Sequence, residues 1–186
     1  MNLVQEMWRL ASEDKSDEAV LRLSGLYRLM SEQPGFLSGE VVRNINEPDI
    51  LIAFHAWRDL ADWQTFQKSQ PKLDFIAGRP EALYEPVPSG MNWRSMEASG
   101  TRKGALLRRE VIRDESPALR SGSGVEGCQT YAFVDDEPDL YRGCTLRLTR
   151  LAGPLDDQAT ASDAEVVVDE LYESLVAVRA PGVAVS

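Results

Sequence analysis

From Leu3 to Ala11 apolar and polar positions alternate with a period of two. Leu3, Gln5, Met7 and Arg9 share one face and Val4, Glu6, Trp8 and Leu10 the other, which predicts a first strand. The period then lengthens. Ala19, Val20, Leu23, Leu26, Tyr27 and Met30 recur at helical spacing behind Ser16 as N-cap, with Asp17 and Glu18 at the positive helix end. This helix must stop near Gln33, because Pro34 disfavours a helical residue before it and Gly35 tolerates a left-handed turn.

Phe36 to Ile45 reads as a second strand, Asn46 to Asp49 as a turn, and Ile50 to Trp57 as a third strand. ILIAFHAW is apolar on both faces apart from His55, the pattern of a central strand covered on both sides. Asp59 caps a second helix carrying Leu60, Trp63 and Phe66 and ending at Pro71; Lys72 to Ala77 adds a turn, and Ala82 to Val87 is a fourth strand, placed at an edge by Pro86. The order β-α-β-β-α-β over residues 3–88 is that of a ferredoxin-like split βαβ unit, an antiparallel sheet with its helices on one face.

The run QPGFLSGEVVRN after a long first helix, then ILIAFHAW, then RDLADWQTF resembles the antibiotic-biosynthesis-monooxygenase domain of the dimeric α/β-barrel superfamily, over roughly the first half of the chain. The resemblance implies an α+β fold whose sheets pair face to face in a homodimer or an intramolecular pseudo-dimer, with a small aromatic molecule bound between a sheet and its helices. It further implies monooxygenation of an aromatic or quinol-like substrate without a bound metal or other cofactor, because an electron-rich substrate anion can itself reduce oxygen. The haem-degrading branch of these proteins carries an iron-binding His beyond the aromatic of helix two, where this chain reads Gln67 to Asp74 without a histidine. Two other functions stay open: a non-catalytic ligand-binding or structural protein of the same fold, and haem binding.

Residues 91–104 form a polar connection between a domain at 1–90 and a second half at 105–186. The second half reads as strands at Ala105 to Ile112, Cys128 to Asp135 and Leu140 to Leu151, with loops at Asp114 to Glu126 and around Gly153 and Pro154. A helix from Asp163 to Val178 is expected behind Ser162. Ser162 through Pro181, Gly182 and Val183 repeats the layout of Ser16 through Pro34, Gly35 and Phe36, so the half is either a degenerate, rearranged second copy or an appended sheet-and-helix module.

Of the 14 aromatics, ten, including all four Trp, precede residue 94. Trp63 and Phe66 from helix two, with Trp8, Phe54, Trp57 and Tyr84 from strands, could line a slot for a planar ligand or simply pack the core. His55, the single histidine, is a candidate general base or hydrogen-bonder whose burial should leave it neutral near pH 7, or else a buried histidine with a structural partner. A polar contact to hold a substrate anion could come from His55, Arg9, or Asn44 or Arg43 near the end of strand two.

The 186 residues carry 20 basic and 30 acidic side chains, a net charge of −10. Nine basic face 14 acidic in residues 1–93 and 11 face 16 in 94–186, so no basic domain hides in the total, and nucleic acid and anionic membrane are poor partners. A local basic excess between Arg94 and Arg113 could clamp an anion, although Arg108 and Glu110 share a strand face and suit a solvated strand with cross-strand ion pairs. One histidine and two cysteines, Cys128 and Cys144, cannot build a conventional zinc site, and both thiols are expected buried and free. The opening MNLVQEMWRLASEDK has no basic n-region and no long apolar run, which points to a cytoplasmic protein.

Overall fold

The computed structural model describes residues 1–78, 83–100, 106–113, 125–133, 144–151 and 165–180; within these, side chains are described except at 84–100, 125, 133 and 165–169. Two compact units emerge, one of Met1–Gly90 with Leu175–Ser186 and the other of Met91–Ser174. The boundaries therefore fall inside two strands, and residues 175–180 group with the first unit.

The first unit runs β1 (Asn2–Leu10), a 3-10 turn (Glu13–Lys15), α1 (Ser16–Ser31), β2 (Phe36–Asn44), β3 (Ile50–Trp57), α2 (Leu60–Gln67), α3 (Gln70–Ala77), the start of β4 (Tyr84–Gly100) and the end of β8 (Glu165–Arg179). Its strand order is β4-β1-β3-β2-β8, and β3 pairs antiparallel with both β1 and β2. Within it, β4-β1-β3-β2 is the order of a ferredoxin-like sheet, and β3, expected as a central strand, is central. The end of β8 adds a strand beyond β2, and Ala180 N–H donates to Leu37 O at 3.0 Å.

Both principal helices cover one face of this sheet. Ala19, Leu23, Leu26, Tyr27 and Met30 of α1 and Phe66 of α2 share one buried cluster with Val4, Val41, Leu51, Ala53 and Trp57, the strand residues that alternation places on a common face. The opposite face is buried too, at Leu3, Val42, Ile50, Ile52, Phe54 and Ala56. Tyr27 decides a local detail: its hydroxyl donates to Glu40 O at 2.7 Å and Phe54 O at 3.0 Å, and its ring occupies the space that a Cβ on Gly39 would need. Gly35 has φ +83°, the left-handed turn expected after Pro34, and its carbonyl accepts from Arg58 N–H at 2.7 Å.

Several boundaries differ from the sequence reading. Ser16 is the first residue of α1, not its cap; Lys15 takes that position, and the buried Ser16 Oγ accepts from Arg43 Nη1 at 3.2 Å. Pro71 does not end α2. Lys68 ends it, and Ser69 caps a separate α3 with Pro71 in its first turn, where a missing N–H costs nothing. β4 continues through most of the expected connection at 91–104: Trp93 to Gly100 pair antiparallel with β6 (Val125–Phe133). Its Ser and Gly content hid a strand whose ladder bonds come from a distant segment.

The largest correction falls on residues 165–178, expected helical and found within β8. The stretch VVVDELYESLVAVR satisfies both periods, and its β-branched valines suit a strand. Antiparallel pairing with β5 (Leu106–Arg113), Val168 opposite Val111 and Tyr172 opposite Leu107, settles the choice. Without that helix the resemblance to residues 16–36 disappears, and Ser162 and residues 181–183 lie outside the described residues, so nothing supports a repeat.

The second unit is antiparallel sheet among its described residues, in the order β8-β5-β7-β6-β4, with β7 spanning Thr145–Leu151. The expected strand at Cys128 to Asp135 begins earlier, at Val125; residues 114–124, 134–143 and 152–164, which hold the expected loops and part of the expected third strand, lie outside the described residues. Glu110 is not solvated. Fully buried, it accepts from Arg147 Nε at 2.9 Å and Nη2 at 3.0 Å, with Arg108 Nε 3.6 Å away. Arg109 is 2.8 Å from Glu170, which also accepts from Tyr172. The cross-strand pairing was foreseen; its burial was not. Cys128 and Cys144 are buried free thiols. No helix among the described residues is long and apolar enough to cross a membrane.

Candidate functional site

Strand alternation aims Glu6, His55 and Trp57 at the helices from neighbouring positions. In the β1–β3–β2 register Val4 and Gly39 flank His55, and Glu6 and Val41 flank Ala53. Because Gly39 contributes no side chain, the Tyr27 ring can lie over β2 beside His55. Trp57, two residues along β3, points to the same side as His55, and its Nε1–H donates to His55 Nδ1 at 2.8 Å.

Above this row, α2 and α3 bring polar and aromatic groups down. The Phe66 ring stacks on Trp57 with centroids 5.7 Å apart, and Phe36 meets Trp57 edge-on at 5.4 Å. Gln67 Nε2 donates to Glu6 Oε1 at 3.4 Å; Lys72 Nζ lies 3.8 Å and His55 Nε2 3.9 Å from the same oxygen. Lys72 is buried, its ammonium 5.9 Å from the Phe66 ring centroid. Three buried atoms here have no hydrogen-bond partner among the described residues: Glu6 Oε2, His55 Nε2 and the indole Nε1 of Trp63. Buried polar atoms are ordinarily satisfied, so such a concentration marks a place where a ligand or water would complete the bonding.

Electrostatics fix the protonation of the row. Burial lowers the His55 pKa to about 4, Glu6 opposing the shift and Lys72 adding to it, so the imidazole is neutral at pH 7 as its sequence environment suggested. Tyr27 is pushed well above the ordinary phenol value by burial and by the charges of Glu6 and Glu40. It therefore stays a hydroxyl that ties α1 to β2 and β3.

The structure separates the residues singled out from sequence. His55, Trp57 and Phe66 are fully buried on the helix-covered face, with Trp63 half-buried against that core. Trp63 shares a helix face with Gln67, one turn on. Trp8, on the Val4 and Glu6 side of β1, also packs against this core. Phe54 is buried on the opposite face, one residue out of phase with His55. Arg9 is exposed and pairs with Asp49 at 2.7 Å and Glu47 at 3.6 Å, away from the cluster. Asn44 is buried, and its Oδ1 accepts from the backbone N–H groups of Asn46 and Glu47, which organises the β2–β3 turn. Tyr84 opens β4, and its side chain lies outside the described residues.

Glu6, Gln67 and Lys72 belong to the cluster and were missed. Glu6 was legible as an acid on the otherwise apolar Val4, Trp8 and Leu10 face. Lys72 was not, because its approach depends on α3 folding back over β1.

Residues 1–78 match the model of the antibiotic biosynthesis monooxygenase family. No curated protein matches the chain. Among solved structures the chain is similar to an anthrone oxidase-like protein (TM-score 0.64, 8% identity, covering 98% of this chain and 94% of that one). It is also similar to a candidate monooxygenase from Fusobacterium nucleatum (TM-score 0.64, 8% identity, 100% and 97% covered) and another from Lactobacillus acidophilus (TM-score 0.60, 11% identity, 100% of both chains). At these identities the likeness establishes the fold.

Proposed function

We propose, from the premise that residues 1–78 form an antibiotic biosynthesis monooxygenase domain, that the chain is a monooxygenase acting on a small aromatic or quinol-like molecule without a bound metal. The observation that carries this is the cluster beneath α2 and α3, where Glu6, His55, Lys72 and Gln67 converge under the aromatic wall of Trp57, Phe66 and Trp63 with three polar atoms unsatisfied. An aromatic ligand would find apolar area there, a cation to stabilise its anion, and hydrogen-bonding groups to orient it. Once ionised and removed from water, such an anion can give electrons to oxygen directly. For a methylene flanked by aryl rings, one oxygen atom enters the substrate as a carbonyl and the other leaves as water, all four electrons coming from the two C–H bonds.

Oxygen uptake by chelator-treated protein with a panel of hydroquinones and anthrones tests the reading, with labelled oxygen to show one atom in the product. Turnover that survives metal removal supports it. Absence of turnover across the panel, or dependence on added metal, would remove it, and a Soret band on adding haem would favour haem binding.

A further inference from the structure

Trp57 fixes which nitrogen of His55 carries its proton. An indole N–H can only donate, so the 2.8 Å bond from Trp57 Nε1 requires a lone pair on His55 Nδ1. A neutral imidazole has one proton, which must then sit on Nε2. That N–H is fully buried and 3.9 Å from Glu6 Oε1, too far for a hydrogen bond. His55 therefore offers a donor, and its one basic nitrogen is occupied. The low pKa of the ring, about 4, agrees with a group that does not take up a second proton near neutrality.

Glu6 is complementary. Its Oε1 is held by Gln67 and faced by Lys72, whereas its Oε2 is buried with no donor. An unsatisfied donor and an unsatisfied acceptor thus sit on neighbouring side chains across the β1–β3 pair, beside a buried ammonium.

We propose that Glu6 is the proton acceptor of this site and that His55, held by Trp57, is a hydrogen-bond donor through Nε2–H to an oxygen of a hydroxyaryl ligand. The assignment deepens the function proposed above and takes its ligand class from it. In the step it describes, the aryl O–H bond breaks, the proton passes to Glu6 Oε2, and the electron pair stays on the aryl oxygen. No electron is transferred, and the negative charge moves from Glu6 to the ligand within reach of Lys72. His55 keeps its proton throughout and stabilises the aryl oxide. Trp57 is a positioning residue, acting only through the tautomer it imposes.

Because the chain has one histidine, nitrogen-15 NMR of histidine-labelled protein reads the tautomer without ambiguity. The expected spectrum at pH 7 shows Nε2 protonated and Nδ1 bare, with the preference lost in Trp57→Phe. Protonated Nδ1 in the parent protein overturns the proposal whatever the variants do.

2-Hydroxyanthraquinone, whose aryl oxide absorbs to the red of the neutral form, supplies the second readout. At a pH where the free dye is neutral, the parent protein should bind it with the oxide band, Glu6→Gln should bind it without that band, and His55→Gln, which keeps an N–H donor, should retain the band. His55→Phe should weaken binding about tenfold, equivalent to the loss of one hydrogen bond. A dye that does not bind, or an oxide band unchanged in Glu6→Gln, overturns the assignment. Oxygen uptake that persists alongside either result leaves the monooxygenase reading standing. A Glu6-dependent oxide band without any oxygen uptake removes that reading and keeps the proton acceptor.

Discussion

Trp57 Nε1 donates to His55 Nδ1 across 2.8 Å, between side chains two residues apart on one face of β3. The two rings meet nearly perpendicular, at 84° with centroids 6.2 Å apart, so the bond orients the imidazole as well as fixing its proton. The donor role proposed for His55 depends on that contact.

Burial of the imidazole makes the stability of the protein depend on pH. The pKa of His55 is lowered from 6.5 to about 4 on folding, so between these values the unfolded chain binds a proton that the folded one does not. Stability is therefore full above pH 6.5 and is lost as pH falls towards 4, by a total of about 3 kcal/mol. Urea titrations at pH 7.5 and 4.5 should show the parent losing more stability than His55→Gln, the difference being the histidine contribution. Parallel losses would contradict the shift.

Gly39 makes the second prediction. Gly39→Ala places a methyl where the Tyr27 ring lies and should cost about 1 to 3 kcal/mol. In Tyr27→Leu, which shrinks the obstruction, the same substitution should cost far less. A double-mutant cycle by denaturant titration measures that coupling, and additive effects would mean the ring is not the obstacle.

Trp63 and Phe66 should part company. Phe66 is 1% exposed and stacked on Trp57, so Phe66→Ala should lose about 3 to 5 kcal/mol, the cost of a large core truncation. Trp63 is half-buried, and Trp63→Ala should lose less stability while lowering dye binding and oxygen uptake. Equal destabilisation with undiminished binding would make Trp63 an ordinary core residue.

In the second unit, the Glu110 and Arg147 pair should behave as a buried ion pair. Arg147→Met alone should cost about 3 to 5 kcal/mol by stranding a buried carboxylate, and adding Glu110→Leu should recover most of it. Chemical denaturation of the single and double variants gives the comparison; a double variant as unstable as Arg147→Met would show that the charges themselves are needed.

By itself the sequence determined whatever local periodicity encodes. Ile50 to Trp57 reads as a central strand because both of its faces are apolar, and so it is. Asp59 reads as a cap, and its Oδ1 accepts from Asp62 N–H at 3.0 Å. Pro34 and Gly35 read as a stop, since one lacks the N–H a helix needs and the other tolerates φ +83°. His55 was legible as a lone titratable group on an apolar strand. Tertiary structure decided the rest, because it depends on which distant segments meet. Residues 165–173 fit either period until pairing with β5 made them a strand, and the Ser and Gly of β4 carried no signal that β6 would complete its ladder. Lys72 and Glu6 are 66 positions apart and reach 3.8 Å only because α3 folds back over β1. The tautomer of His55, which leaves its proton on Nε2, follows from the rotamer of a neighbouring indole, and no spacing of residues along a chain specifies that.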